Sequence, residues 1–270
     1  MEQPALTDIK RPLQETIATH VIPRLLGQQP MATRQNMMAA EYSQRLGEAC
    51  VSMVPSAAQD CARQLMAQGL DLETLYVQTI PDAARLFHDW WEVEQIDFVA
   101  VTRGTFQLEE LIYALSVDFI MTNRGEHQAG RGFSALLVNT PGSHHSLGLL
   151  ILSQFFKRHG WQVISSNQFS AADTTTAVRS EWIDLMGLSI SDGRQIEPMR
   201  KLIATLRRLS SNPHLQIMVG GPLLRQTPDL AQQLGADFSS AHADEAQTLA
   251  ASRVQQVQAR HGMVGLNLQP

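Results

Sequence analysis

Three short segments in the second half of the chain carry the residues best suited to ligand chemistry. They are Thr140-Pro141-Gly142-Ser143-His144-His145-Ser146-Leu147-Gly148, Ser189-Ile190-Ser191-Asp192-Gly193 and Gly220-Gly221-Pro222. Small residues let a large ligand approach the backbone, and hydroxyls with free amides at helix N-termini can hold a phosphate or a polar tail. An imidazole in a loop can bind iron or cobalt. The segments therefore favour a ligand site with an imidazole available for a metal.

Each of these features has an ordinary explanation when it is taken alone. A loop histidine is usually a surface residue, two adjacent histidines before a helix can be polar residues near its cap, and Gly-Gly often marks a tight turn. The binding interpretation gains weight because all three segments are predicted to follow neighbouring strands of one sheet.

The apolar pattern after about Phe133 predicts that sheet. Predicted strands are Ala135–Asn139, Trp161–Ser165, Ile183–Ser191, Gln216–Val219 and Asp237–Ser239, and predicted helices are Ser146–Arg158, Ala171–Ser180, Ile196–Leu209, Leu230–Leu234 and Ala243–Arg260. Such alternation is typical of an α/β fold with a doubly wound parallel sheet. We take the flavodoxin-like order 2-1-3-4-5, in which a ligand lies outside the carboxyl ends of the strands near the point where the order reverses.

The first half of the chain has a helical period instead. Helices are predicted at Met37–Met53, Ala57–Gln68, Leu72–Val77, Pro81–Trp91 and Asp97–Asn123, with breaks at Pro55, Gly69 and Pro81. Short connections between them favour an antiparallel bundle. We therefore expect an N-terminal helix (Glu15 to Leu26) and linker over residues 1–35, a helical bundle over 36–128 and the α/β domain over 129–270.

Composition excludes several classes of protein. The formal net charge is -5 and no run of Lys and Arg forms a basic face, which disfavours autonomous DNA binding. The two cysteines, Cys50 and Cys61, cannot form a disulfide framework or a zinc site alone. The N-terminus lacks the apolar region of a secretory leader, and no apolar run could span a membrane, so we expect a soluble cytoplasmic protein.

The spacing of the three segments resembles that of a known cofactor domain. His145-x-x-Gly148, then Ser189, then Gly220-Gly221 is similar to the Asp-x-His-x-x-Gly, Ser-x-Leu and Gly-Gly fingerprint of the cobalamin-binding domain of methionine synthase and methylmalonyl-CoA mutase. The resemblance implies that His145 ligates the lower face of a corrin. It also implies that Ser189 and the Gly220-Gly221 turn accommodate the nucleotide tail, with Gly148 leaving space at the start of the first helix.

The helical half extends the resemblance. Leu86-Phe87-His88-Asp89-Trp90-Trp91, Asp97–Gly104, Ser146–Leu150 and His159-Gly160-Trp161-Gln162-Val163 resemble the AerR/PpaA family of antirepressors of photosynthesis genes, related to the heme-binding region of AppA. This similarity spans roughly Ala57 to Gly262. It implies a bundle that caps the corrin, Trp90 and Trp91 as candidates for stacking on an upper ligand, and a CrtJ/PpsR-type transcriptional repressor as partner.

Three positions depart from these patterns. Ser143 replaces the fingerprint acid, which would hydrogen-bond the ligand imidazole and raise its basicity, so ligation by His145 should be weaker and easier to exchange. Ser191 replaces the usual Leu of the second motif. Ala100-Val101 stand where light sensors of the CarH type carry a Glu-His pair, so that upper-face histidine is missing.

These features lead to one preferred function and three alternatives. We expect a non-enzymatic, light- or redox-responsive regulator that binds cobalamin between bundle and α/β domain and acts through a repressor protein. The alternatives are a heme sensor that uses His145 or His144, a corrinoid protein that carries methyl groups, and an interaction module with an empty pocket. The sequence contains no Ser-His-Asp arrangement and no Walker or Rossmann glycine pattern.

Overall fold

The computed structural model describes residues 31–122, 132–140, 146–166 and 170–266, with side chains for those between positions 36 and 260. The helical half contains α1 (Met31–Val51), α2 (Ala57–Ala67), α3 (Leu72–Thr74), α4 (Ile80–Glu92) and α5 (Phe98–Met121). A π-helical turn, Leu75–Thr79, joins α3 and α4 into one continuous helical segment.

Two sequence predictions in this half are corrected. Helix α1 begins at Met31, inside the predicted linker, because polar residues are compatible with a helix and do not by themselves mark a loop. The predicted break at Pro81 is wrong, since the π-turn changes the hydrogen-bonding pattern just before this proline, which has no N–H to donate. The predicted helix Glu15 to Leu26 lies outside the described residues.

One apolar core holds the helices together. Tyr76 stacks on Phe119 with ring centroids 4.0 Å apart, and its hydroxyl donates to the Ile112 carbonyl oxygen at 3.0 Å. Fully burying a large apolar side chain, such as that of Phe119, stabilises the folded state by about 1.5–3 kcal/mol. The same core includes two residues of the α/β half, Ile151 and Phe155, so the halves share a continuous apolar interface.

The α/β half confirms the predicted architecture. Its strands are β1 (Ser134–Asn139), β2 (Gln162–Ser166), β3 (Leu185–Ser189), β4 (Gln216–Gly220) and β5 (Phe238–Ser239), all parallel and ordered 2-1-3-4-5. The helices are α6 (Ser146–Arg158), α7 (Ala171–Ser180), α8 (Ile196–Leu209), α9 (Leu230–Leu234) and α10 (Ala243–Leu266). Apolar residues of α6 and α10 pack on one face of the sheet, and those of α7, α8 and α9 pack on the other.

The bundle attaches to the α/β half through α5, which runs parallel to α6. Glu109 contacts Ser146 at the start of α6, the rings of Phe119 and Phe155 lie 4.9 Å apart, and Arg158 at the end of α6 donates to the Thr122 carbonyl oxygen at 3.2 Å. The residues of α5 before Glu109 therefore extend about 16 Å beyond the start of α6 at a helical rise of 1.5 Å per residue. The bundle stands beside the carboxyl edge of the sheet.

No helix within the described ranges is both long and apolar enough to cross a membrane.

Candidate ligand-binding site

Three strands end level with one another at the carboxyl edge of the sheet. Asn139, Ser189 and Gly220 are register partners across β1, β3 and β4. The ladder continues for one step, since the Thr140 amide donates to the Ser189 carbonyl oxygen at 3.1 Å and the Ile190 amide to that of Gly220 at 2.9 Å. The loops that follow these strands therefore start side by side, as the sequence predicts.

The Gly220-Gly221 turn requires glycine at its second position. Gly221 has a φ of +99°, and a Cβ there would lie 2.5 Å from the carbonyl oxygen of Ile190. At Gly220 a Cβ would lie 3.0 Å from the Ser240 carbonyl oxygen. Only glycine accepts this combination of backbone angle and close approach. The turn keeps the backbone of three neighbouring loops in contact and leaves no side chain between them.

The structure brings Ser189 to this turn, but Ser191 has different contacts. The Ser189 Oγ lies 3.0 Å from the position of a Gly221 Cβ. The Ser191 amide instead donates to Gln195 Oε1 at 3.0 Å. The Asp192 carboxylate accepts hydrogen bonds from Arg194, which lower the pKa of this carboxyl to about 2. Asp184 accepts a hydrogen bond from the Ser134 amide at the opposite edge of the sheet.

The predicted ligand residues Ser143, His144 and His145 lie outside the described residues. Their loop joins Thr140, at the carboxyl end of β1, to Ser146, the first residue of α6. Among the residues that the structure does describe, no group of three or more His, Cys, Asp or Glu side chains could hold a metal ion, and Cys50 and Cys61 are free thiols. Ligation of a metal by His145 thus stays a prediction from sequence.

Gly148 faces open space in the first turn of α6. A Cβ at this position would meet no atom of the described chain within 4 Å. Packing among the described residues therefore does not require this glycine. The role that the family resemblance assigns to Gly148 stays a prediction.

The two tryptophans of α4 differ in their surroundings. Trp90 is half-buried and packs beside Phe87, with ring centroids 6.1 Å apart, so it belongs to the bundle wall. Trp91 is 49% exposed and remains a candidate for contact with an upper ligand. His88 is exposed and bonds Glu92 at 3.2 Å on its own helix.

Sequence analysis missed a contact that brings the bundle to this edge. The Ser146 hydroxyl donates a hydrogen bond to Glu109 Oε1 on α5. No local pattern announces this contact, because Glu109 and Ser146 are 37 positions apart.

Two surface cavities lie close to the edge, and neither contains the core of the predicted site. A cavity of about 680 Å³ lies between the end of β5 and the start of α10, lined by Ser240, His242 and Thr248 among others. It borders the site through Ser240, whose carbonyl oxygen approaches Gly220. The second, of about 480 Å³, contains Ser191 and Gln195 and lies against α8.

A doubly wound sheet with three level strand ends, a glycine turn and a helical bundle beside them defines a two-part protein that binds a large ligand at its carboxyl edge. Residues 133–250 match the family described as the B12 binding domain. This match confirms the predicted α/β cobalamin-binding domain in the second half of the chain, with cobalamin as its cofactor.

Two individual proteins extend the comparison. An uncharacterized 20.5 kDa protein in the bchF-crtJ intergenic region of Rhodobacter capsulatus is 26% identical over 175 residues, which cover 65% of this chain and 89% of that protein. The monomethylamine corrinoid protein of Methanosarcina barkeri has the same fold, with a TM-score of 0.64 at 16% identity over 78% of this chain and 98% of that one. The first match is consistent with the AerR/PpaA resemblance.

One side chain at the edge fits a cofactor with many amide groups. Thr140 Oγ1, at the end of β1, is buried and has no hydrogen-bond partner among the described residues. Buried polar atoms without partners are rare in folded proteins, and the amides of cobalamin could supply such partners.

Proposed function

We propose that the chain is a cobalamin-dependent regulator, an antirepressor that changes the activity of a CrtJ/PpsR-type repressor in response to light or redox state. It acts through protein contact and catalyses no reaction. One observation carries the proposal: the bundle is hydrogen-bonded, through Glu109 and Ser146, to the residue that follows the predicted metal ligand His145.

That contact provides a route from ligand to bundle. Ser146 is the first residue of α6 and directly follows His145 in sequence. A change in metal coordination that shifts the backbone at His145 would also shift its neighbour Ser146, and Glu109 would then lose its hydrogen-bond donor. A ligand can shift the equilibrium between two conformations of the protein only if it interacts differently with each of them. The presence or absence of the Glu109–Ser146 hydrogen bond would distinguish two such conformations.

The genomic position of a relative and the net charge of this chain support the same function. The Rhodobacter capsulatus relative comes from the bchF-crtJ intergenic region, which agrees with a role beside a repressor of photosynthesis genes. The net charge of -5 favours action through a protein partner, since binding to a phosphate backbone requires clustered cations.

The chain's own residues hold and orient the cofactor. Bound cobalamin supplies a light-sensitive cobalt–carbon bond or a cobalt whose coordination changes with redox state. His145 would hold the lower face, Ser189 and the Gly220-Gly221 turn would border the tail, and Thr140 Oγ1 would bond an amide. Because Ser143 replaces an acid, the His145 imidazole lacks the acidic residue that the fingerprint places two positions before it and should exchange more readily than in the family pattern.

The test measures release of the repressor from DNA. The repressor is bound to a fluorescent operator, the cobalamin-loaded chain is added in the dark and after illumination or reduction, and anisotropy is recorded. We expect the two cofactor states to differ in release for the wild type, and we expect no difference for His145→Ala. If neither state of the wild type changes operator binding, the antirepressor role is wrong.

A methyl-carrier function is the second candidate, because the fold is shared with the Methanosarcina barkeri corrinoid protein. It predicts strong His145 ligation supported by an acid, which Ser143 does not provide. Sustained methyl transfer from a donor to an acceptor thiol would favour the carrier. The heme alternative predicts a Soret band in the purified protein, whereas cobalamin predicts corrin absorption bands.

A further inference from the structure

Helix α5 is apolar on two opposite faces. Its core face carries Leu108, Ile112 and Phe119, all buried. On the other side Val99, Phe106, Tyr113, Val117 and Met121 are between 55% and 67% exposed. Their spacing of seven, seven, four and four residues puts them on one side of a helix. We call these five residues the outer stripe.

The outer stripe is too continuous to be ordinary surface. Single exposed apolar residues are common, but aligned ones create a patch that marks an interaction site. The outer stripe runs along α5, a helix of 24 residues that is about 36 Å long. Phe119, which packs against Phe155 of α6, is on the opposite side of α5, so the stripe does not face the α/β half.

Two charged residues beside the outer stripe indicate which partner could bind there. Arg103 and Glu110 lie on the same side of α5, one on each side of Phe106 along the helix. Neither forms an ion pair with any side chain in the described part of the chain. Arg103 is half-buried, and its Nη1 contacts the Met53 sulfur. The face therefore carries an unpaired cation and an unpaired anion seven positions apart.

A second copy of the same face satisfies both charges. When two α5 helices pack antiparallel about Phe106, Arg103 of each copy meets Glu110 of the other, and Val99 meets Tyr113. Parallel packing would instead oppose like charges. A two-fold arrangement of this kind is the commonest among homo-oligomers and requires a self-complementary surface.

We propose that the part of the outer stripe from Val99 to Tyr113 is a homodimer interface, in which two copies of α5 pack antiparallel around Phe106 with reciprocal Arg103–Glu110 pairs. One pair of helices buries less than the roughly 800 Å² per partner of standard complexes. The dimer is therefore a weak one, with a Kd on the order of micromolar.

Sedimentation velocity of the full chain, from about 1 to about 200 µM, tests this interface. We expect a monomer–dimer equilibrium for the wild type and monomer at every concentration for Phe106→Glu. The matched control is Val93→Glu, since Val93 is an exposed apolar residue of the same bundle outside the stripe. It should leave the equilibrium unchanged. Circular dichroism verifies that each variant is folded.

Charge reversal at Arg103 and Glu110 tests the antiparallel register of the two α5 helices without changing Phe106. Arg103→Glu or Glu110→Arg alone should weaken the dimer about tenfold or more, and the double reversal should restore it. Failure of the double variant to recover would overturn the antiparallel register. A wild-type chain that stays monomeric at the highest concentration would overturn the homodimer interface. The outer stripe would then be a surface for residues 1–30 or for a different protein.

Discussion

The hydroxyl of Ser146, which follows the predicted metal ligand His145 in sequence, donates a hydrogen bond to Glu109 in the middle of helix α5. At the other end of α6, Arg158 is 3% exposed, donates to Glu73 Oε2 at 3.0 Å and covers the Phe119 ring at 4.8 Å. The bundle is thus fixed to α6 at both ends. At the start of α6, Glu109 accepts this hydrogen bond while Leu147 and Leu150 pack against the bundle core.

Replacing Glu109 by Ala should lower the free energy of unfolding by about 1–2 kcal/mol, because a hydrogen bond to a charged group is lost and both side chains are half-buried. Urea denaturation of the apo chain measures this. Glu41→Ala is the control, since Glu41 is exposed on α1, and it should change the value by less than about 0.5 kcal/mol. Equal effects of both substitutions would show that the Glu109–Ser146 contact contributes nothing.

Gly221→Ala should destabilise the chain by at least about 2 kcal/mol, because a positive φ and a contact of 2.5 Å with the Ile190 carbonyl must both be relieved. The midpoint of thermal unfolding of the apo protein is the measurement. A variant as stable as the wild type would mean that the turn can adopt a different backbone path.

Gly148→Ala should separate stability from binding. The added methyl group meets open space and sits in a helix, so the apo chain should keep its stability or gain up to about 1 kcal/mol. If the space is reserved for the cofactor, affinity for hydroxocobalamin should fall about tenfold. Titration followed by absorbance measures that affinity, and unchanged binding would remove Gly148 from the site.

Local signals explain how much of this structure could be predicted. Helices Ser146–Arg158, Ala171–Ser180 and Ile196–Leu209 have the predicted bounds, and the second begins at a capping box in which Ser170 and Asp173 exchange hydrogen bonds. The strand order and the grouping of Ser189 with Gly220 and Gly221 follow from the connection rules of parallel sheets. Pro81 misled the prediction, because a π-turn has no pattern of its own.

Contacts between residues distant in sequence could not be predicted. The Arg158–Glu73 pair joins residues 85 positions apart, and no spacing rule links two such positions. The different surroundings of Trp90 and Trp91 depend on how α4 packs against α1, where a Cβ on Gly47 would lie 3.0 Å from the Trp90 ring.

The chain should lose stability at high pH. Burial raises the pKa of Cys50 to about 12, so the folded thiol stays neutral where an unfolded thiol, with a pKa near 9, ionises. Stability from this group is complete below pH 9 and declines as the pH rises from about 9 towards 12, by up to about 1.4 kcal/mol per pH unit. Burial also raises the pKa of Tyr76, whose neutral hydroxyl donates to Ile112.

Urea denaturation at pH 8 and pH 10 measures this loss. Cys50→Ala should be less stable than the wild type at pH 8 but should lose less between the two values, by about 1 kcal/mol. Identical losses in both chains would show that the Cys50 thiol does not contribute to the alkaline decline.

Retention of cobalamin by His145→Ala, compared with His144→Ala, tests the central claim most directly. Both chains are loaded with hydroxocobalamin, passed through gel filtration and scanned for corrin absorption. We predict that His144→Ala keeps the cofactor with the wild-type spectrum, whereas His145→Ala loses most of it or shows the bands of a cobalt without protein imidazole. A His145→Ala protein with wild-type retention and an unshifted spectrum would contradict the account.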